Sequence, residues 1–196
     1  LRSILPEGDA FHAVGGENAM ISAMIADGFT GNKGRGGFYM TGDNGSEMAR
    51  PLTGAGAALA DWRPASSDLP DAAVRAADAA ATRREPLLEL LDGNDSCARF
   101  SRRVLGRVLA YAASLVPDVT SSPQDIDDAM KLGFNWQRGP FEMIDAIGPS
   151  RMAALLKEAD LDVPPVLATE APFYQPDGDV LTVRQADGSQ SPVRLP

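Results

Sequence analysis

Residues 125–148 read DIDDAMKLGFNWQRGPFEMIDAIG and hold the densest helix punctuation in the chain. Just ahead of them Ser122 supplies an N-cap, Pro123 a first-turn proline and Asp125 an acid three residues after the cap. Ile126, Ala129 and Met130 recur at helical spacing, and Gly133 is placed to close that helix in the left-handed conformation. A second start follows at once. Gly139-Pro140-Phe141-Glu142 puts proline at the first helical position and glutamate at the third, where a carboxylate meets free backbone N–H groups. Glu142 and Asp145, three apart, could also face one cleft as paired carboxylates, but capping explains Glu142 better. Gly148-Pro149 ends this helix and can open another. By spacing alone, two short helices on a Gly-Phe-Asn-Trp elbow form a packing unit and not a reaction centre.

Working outward, residues 94–116 form the longest helix, capped by Asn94, Asp95 or Ser96. Phe100, Val104, Val108, Tyr111 and Leu115 are its expected buried stripe, widened by Leu105, Leu109 and Ala112. Arg99, Arg103 and Arg107 fall four apart on one face. They read either as a salt-bridged surface, with Glu85, Glu89 and Asp92 as partners, or as an anion or interface site. Helices are also expected over 17–27, 68–82, 85–91 and from Met152 to Ala159. The acidic face of 85–91 has no His or Cys beside it and reads as solvated, not metal-binding. Gly42-Asp43-Asn44-Gly45 is a hairpin turn, residues 60–64 a short strand, residues 65–67 a linker, and 180–195 a terminal β-hairpin.

The bounds set by composition are loose. The 196 residues are 44% hydrophobic and 23% charged, ordinary for a globular chain with a core. A net charge of −9 argues against non-specific binding to nucleic acid or anionic membrane. The single cysteine, Cys97, allows no intrachain disulfide and fits a cytoplasmic setting. No apolar run is long enough to span a membrane. The chain opens on Leu1-Arg2 without a signal-like segment and reads as a piece of something longer. The glycine-rich loop from Gly31 to Gly37 carries Lys33 and Arg35, yet its spacing fits neither the P-loop nor the dinucleotide fingerprint. His12, the one histidine, has no nucleophile at a recognisable spacing.

The order of acidic helix start, AMKLGF, GPFE and DAIG resembles the signature of the C-terminal helical domain of 3-hydroxyacyl-CoA dehydrogenases. These enzymes oxidise the 3-hydroxyl of acyl-CoA thioesters with NAD in fatty-acid β-oxidation. The resemblance implies a mainly α fold: a helical bundle in tandem repeat with short β-hairpins. Phe38-Tyr39 and Phe173-Tyr174 mark the register of the two repeats. Residues 1–65 would be the back half of the first repeat, 66–95 a helical linker and 96–196 the second repeat. In the first, Phe38 and Tyr39 would be packing anchors. The resemblance also implies an upstream NAD-binding domain that carries the catalytic Ser, His and Glu, an acyl-CoA substrate, and a homodimer. It leaves this chain no catalytic, NAD-binding or metal-binding residue of its own, and so no activity alone. An enoyl-CoA hydratase domain in the same polypeptide is a further implied option. Arg102 stands where the first repeat of the family places a catalytic-site Asn. The rival reading is a free-standing helical interaction module.

Overall fold

The computed structural model describes all residues except 1, 2, 15–17, 32, 54–57, 60, 67, 195 and 196. The expected start of the first helix at Glu17 and the expected end of the hairpin at Leu195 lie outside the described residues. Contacts divide the chain into two units, Leu1–Asp68 and Leu69–Pro196. The described residues are mainly helical, with small antiparallel sheets. None of the described helices is long and apolar enough to cross a membrane.

In the first unit, helix α1 is Phe11–Val14 and α2 is Ala19–Ala26. The Asn18 side chain caps α2 by accepting from the N–H groups of Met20 and Ile21. Strands β1 (Tyr39–Thr41), β2 (Glu47–Ala49) and β5 (Arg63–Pro64) form one antiparallel sheet, and β3 (Leu52–Thr53) pairs with β4 (Ala58–Leu59). The Gly42–Gly45 turn joins β1 to β2 as expected. Phe29 carries two guanidinium groups, those of Arg35 and Arg50, each 5.1 Å from its ring centre. Tyr39 departs from its expected role as an anchor. It is 59% exposed, because β1 is an edge strand and turns that side chain to solvent.

The second unit opens with α3 (Asp71–Ala81) and α4 (Pro86–Leu91). Then come α5 (Ser96–Ser114), α6 (Pro123–Phe134), α7 (Pro140–Ile147) and α8 (Pro149–Glu158). A 3-10 turn at Pro165–Leu167 leads to a three-stranded antiparallel meander of β6 (Tyr174–Asp177), β7 (Val180–Arg184) and β8 (Gln190–Pro192). The core is continuous across the helices and reaches the sheet through Leu109, Ile144, Leu156, Leu167 and Phe173. Phe141 and Phe173 are fully buried and meet edge to face at 4.7 Å, a favourable aromatic geometry.

Two expectations about these helices are corrected. Gly133 does not end α6: the helix continues through Phe134, and Asn135 takes the left-handed conformation at φ 55°. Asparagine tolerates that region because its short amide bonds locally. The buried stripe of α5 is only partly the expected one. Phe100, Val104 and Val108 are 67%, 42% and 37% exposed, while Leu109 and Ala112, expected at its border, are buried together with Ala98 and Ala113. Helix α5 packs against α3, α4, α7 and α8. Close approach on that many sides requires small side chains, so the alanine face turns inward and the bulkier row turns out.

Candidate functional site

The site is built at the start of α7. Gly139 is the N-cap, Pro140 stands at the first helical position, and Phe141 and Glu142 follow. The Glu142 carboxylate accepts from the Gly139 N–H at 2.9 Å and from Lys131 Nζ at 2.7 Å. Its role is a cap tied to α6. The next two free N–H groups, of Phe141 and Glu142, donate to Asp127 at 2.7 and 3.1 Å. A side chain on α6 thus completes the N-terminus of α7. The Tyr174 hydroxyl donates to the same carboxylate at 2.8 Å. One acid therefore clasps α6, α7 and β6 together.

Asp127 is fully buried. Burial pushes its carboxyl up to about 6, although the Phe141 and Glu142 N–H groups and the Tyr174 hydroxyl all favour the anion. Desolvation outweighs three hydrogen bonds here. Burial and the neighbouring Asp127 charge also push the Tyr174 phenol up. Asp127 explains the glycine at 139 as well. A Cβ there would lie 2.3 Å from Asp127 Cβ and 2.5 Å from its Cα, so no larger residue fits.

A second carboxylate repeats the device. Asp145 on α7 accepts from the N–H groups of Phe173 and Tyr174 at 2.7 and 2.8 Å, fixing the start of β6. Burial raises it too. Arg184 of β7 lies over the Phe173 ring at 4.4 Å, and burial lowers its pKa against the pull of Asp145. At the other side of the sheet the buried Gln124 side chain donates to the Arg194 carbonyl at 2.7 Å and accepts from the Arg194 N–H at 3.0 Å. A groove of about 530 Å³ runs over these elements, with Glu142, Asp145, Lys131 and Tyr174 among its lining residues. Glu142 and Asp145 do share one cleft. Both of their carboxylates are nevertheless engaged in holding backbone N–H groups, which suits positioning and not proton transfer.

The remaining expected residues are placed as follows. Arg99 Nη1 donates to the Asn94 carbonyl, while Arg103 and Arg107 form no ion pair with any described residue. Their expected carboxylates are taken elsewhere. Glu85 makes a two-point bond to Arg138 at 2.7 and 3.0 Å, Glu89 meets Arg84 at 2.9 Å, and Asp92 meets Arg151. These acids face α3, the elbow before α7 and the start of α8, whereas the arginine row lies on the outer side of α5. Arg102 donates to the Leu91 and Gly93 carbonyls at 2.5 and 2.7 Å, a structural tie between α4 and α5. His12 Nε2 lies 2.9 Å from the Pro6 carbonyl. In the glycine-rich loop the N–H groups of Gly31, Gly34, Arg35 and Gly37 all donate to nearby carbonyls. These four N–H groups are therefore not free to cradle a phosphate. No group of three potential metal ligands occurs among the described residues.

Residues 100–175, which run from α5 into β6 and contain the whole clasp, match the family described as 3-hydroxyacyl-CoA dehydrogenase, C-terminal domain. Residues 100–175 of the second unit belong to that family. Similarity to whole proteins extends over most of the chain. A protein of Rickettsia prowazekii, named for the fatty acid oxidation complex trifunctional enzyme, is 32% identical over 82% of the chain. Its counterpart in Rickettsia felis is 30% identical over the same share. A Bacillus subtilis protein, named as a 3-hydroxyacyl-CoA dehydrogenase, is 30% identical over 74%. The chain spans only about a fifth of the length of these relatives, 20%, 20% and 18% respectively. No solved structure matches the chain significantly.

Asp127 and Arg138 were not singled out by sequence reasoning, and Tyr174 was marked only as a repeat register, not as a partner of a buried acid. One signal was present for Asp127: an acid between Ile126 and Met130 on the apolar side of α6, with a Gly-Pro helix start shortly after it.

Proposed function

We propose that this chain is the C-terminal part of an NAD-dependent 3-hydroxyacyl-CoA dehydrogenase of fatty-acid oxidation, within a polypeptide that also carries an NAD-binding domain. Its work there is to form the acyl-CoA side of the cleft and to build the homodimer. The observation that carries this reading is the coincidence of the family match at 100–175 with a clasp whose carboxylates all serve the backbone. A segment whose acids are committed to holding helices and strands together is a wall and a support, and hydride chemistry falls to another domain. Four N–H groups of the glycine-rich loop are already held by carbonyls, which supports leaving the dinucleotide to another domain. Tandem architecture is part of the same reading. Phe38-Tyr39 leads into β1–β2–β5 and Phe173-Tyr174 into β6–β7–β8, each a three-stranded antiparallel sheet. Residues 1–65 and 96–196 are taken as the two repeats, joined by the helical 66–95 segment.

The test uses the chain alone and the longer coding sequence. The 196-residue chain should show no turnover of acetoacetyl-CoA with NADH above the blank, and no saturable NAD binding by calorimetry. The longer protein should turn over, and deletion of residues 69–196 from it should abolish turnover. Full activity after that deletion would overturn the proposal.

A further inference from the structure

We propose that the outward face of α5 docks an amphipathic helix of a different protein segment, one that carries a row of carboxylates beside a row of apolar side chains. Phe100, Val104 and Val108 form one row at four-residue spacing, and Arg99, Arg103 and Arg107 form the neighbouring row. Rows of this spacing are the ridges of an α-helix, and the groove between two of them receives a ridge of a second helix at a crossing angle of about −50°. The paired rows run for two turns, about 12 Å of axis.

Among the described residues neither row is answered by a carboxylate or by a covering side chain; Arg99 donates to the Asn94 carbonyl just ahead of its own helix, which leaves its charge uncompensated. The apolar side chains are 67%, 42% and 37% exposed, the bulky face of a helix whose buried face is largely alanine. Three cations in an i, i+4 row repel one another, and among the described residues none of the three is in an ion pair. A face meant only for water has no reason to place a phenylalanine and two β-branched residues beside arginines. A partner ridge in that groove would meet guanidinium groups on one side and hydrocarbon on the other. Complementarity therefore calls for carboxylates four residues apart along one row and apolar groups along the next.

A second copy does not supply this. About a two-fold axis across the helix the face sets arginines against arginines, and about one along the helix it sets them against hydrocarbon, so neither pairing supplies carboxylates. Pairing it with another helix of the chain fails as well, since no described helix carries three carboxylates at four-residue spacing.

The experiment takes the 196-residue chain and two synthetic helices of about 20 residues with the same leucine row. One has Glu and the other Lys in the adjacent row, and binding is read by fluorescence anisotropy at low and raised salt. The Glu helix is expected to bind at least about tenfold tighter than the Lys helix and to weaken with salt. Phe100→Ala should weaken it about tenfold. The double variant Arg103→Glu, Arg107→Glu should reverse the preference, a gain that an unfolded chain could not show. Equal binding of both helices, binding of neither, or a charge-reversed variant without reversed preference would overturn the proposal. So would self-association in sedimentation that Phe100→Ala abolishes, since it would give the face to a second copy.

Discussion

Replacing Asp127 by asparagine isolates the energetics of the clasp. The wild-type carboxyl stands at about 6 in the native chain against 3.8 for an ordinary aspartate. The native state therefore holds this proton more tightly than the unfolded chain does. Its contribution to stability is full below pH 3.8 and is lost as the pH rises through 6. At about 1.4 kcal/mol per unit, the loss is about 3 kcal/mol. Asparagine does not titrate. Its oxygen can accept from Phe141 N–H, and Tyr174 can turn to accept from its amide. The Glu142 N–H then faces another donor, at a cost of about 1–3 kcal/mol. The variant should thus be less stable than wild type at pH 4, and the gap should close or reverse by pH 7.5, a relative change of about 2.5 kcal/mol. Urea unfolding at half-unit pH steps measures it, followed by the fluorescence of Trp136 in the adjacent elbow in a Trp62→Phe background. All other groups are common to both proteins and cancel in the difference. A gap that stays constant within about 0.5 kcal/mol from pH 4 to 7.5 would refute the assignment of a buried, proton-holding Asp127.

Gly139→Ala should cost more than the roughly 1–3 kcal/mol of ordinary overpacking, because its Cβ meets Asp127 backbone as well as side chain; an unchanged thermal midpoint would contradict this. Phe141→Ala should cost about 3–5 kcal/mol by denaturant titration, as expected for a fully buried ring packed on Phe173. Glu142→Ala should cost about 0.5–2 kcal/mol, measured the same way, through loss of the Gly139 cap. The Arg138 bond holds Glu85 below the usual carboxylate range, so this pair stabilises above pH 4.5 and its contribution is lost as the pH falls below that. Glu85→Gln should accordingly lower the urea midpoint at pH 7 by more than at pH 3.

Much of the second unit was legible because α7 and its flanks are spelled in local punctuation. Gly139-Pro140, Glu142 and Gly148-Pro149 act within a few residues of themselves, and the helices they predict are present. The clasp was not legible, because Asp127 finds its partners 14, 15 and 47 residues away. No local pattern encodes that pairing, and Gly139 gains its steric reason only once Asp127 is in place. Helix α5 misled for a different reason. It is apolar on two faces, and periodicity favours the larger side chains, whereas packing among four neighbouring helices selects the smaller ones. The two Phe-Tyr pairs show the same limit. Tyr174 reaches a buried carboxylate and Tyr39 reaches solvent, although the dipeptides are identical.

A three-stranded meander presents two free edges, and free edges invite pairing with strands of other molecules. In β6–β7–β8 both are blunted by side chains from the helices. Gln124 occupies the N–H and C=O of Arg194 just past β8, as a neighbouring strand would, and Asp145 takes the N–H groups of Phe173 and Tyr174 at the start of β6. The helices thus act as plugs against runaway sheet growth. Damage to α6 or α7 would expose strand edges along with core, so variants that unfold this region are expected to lose solubility through intermolecular β-pairing.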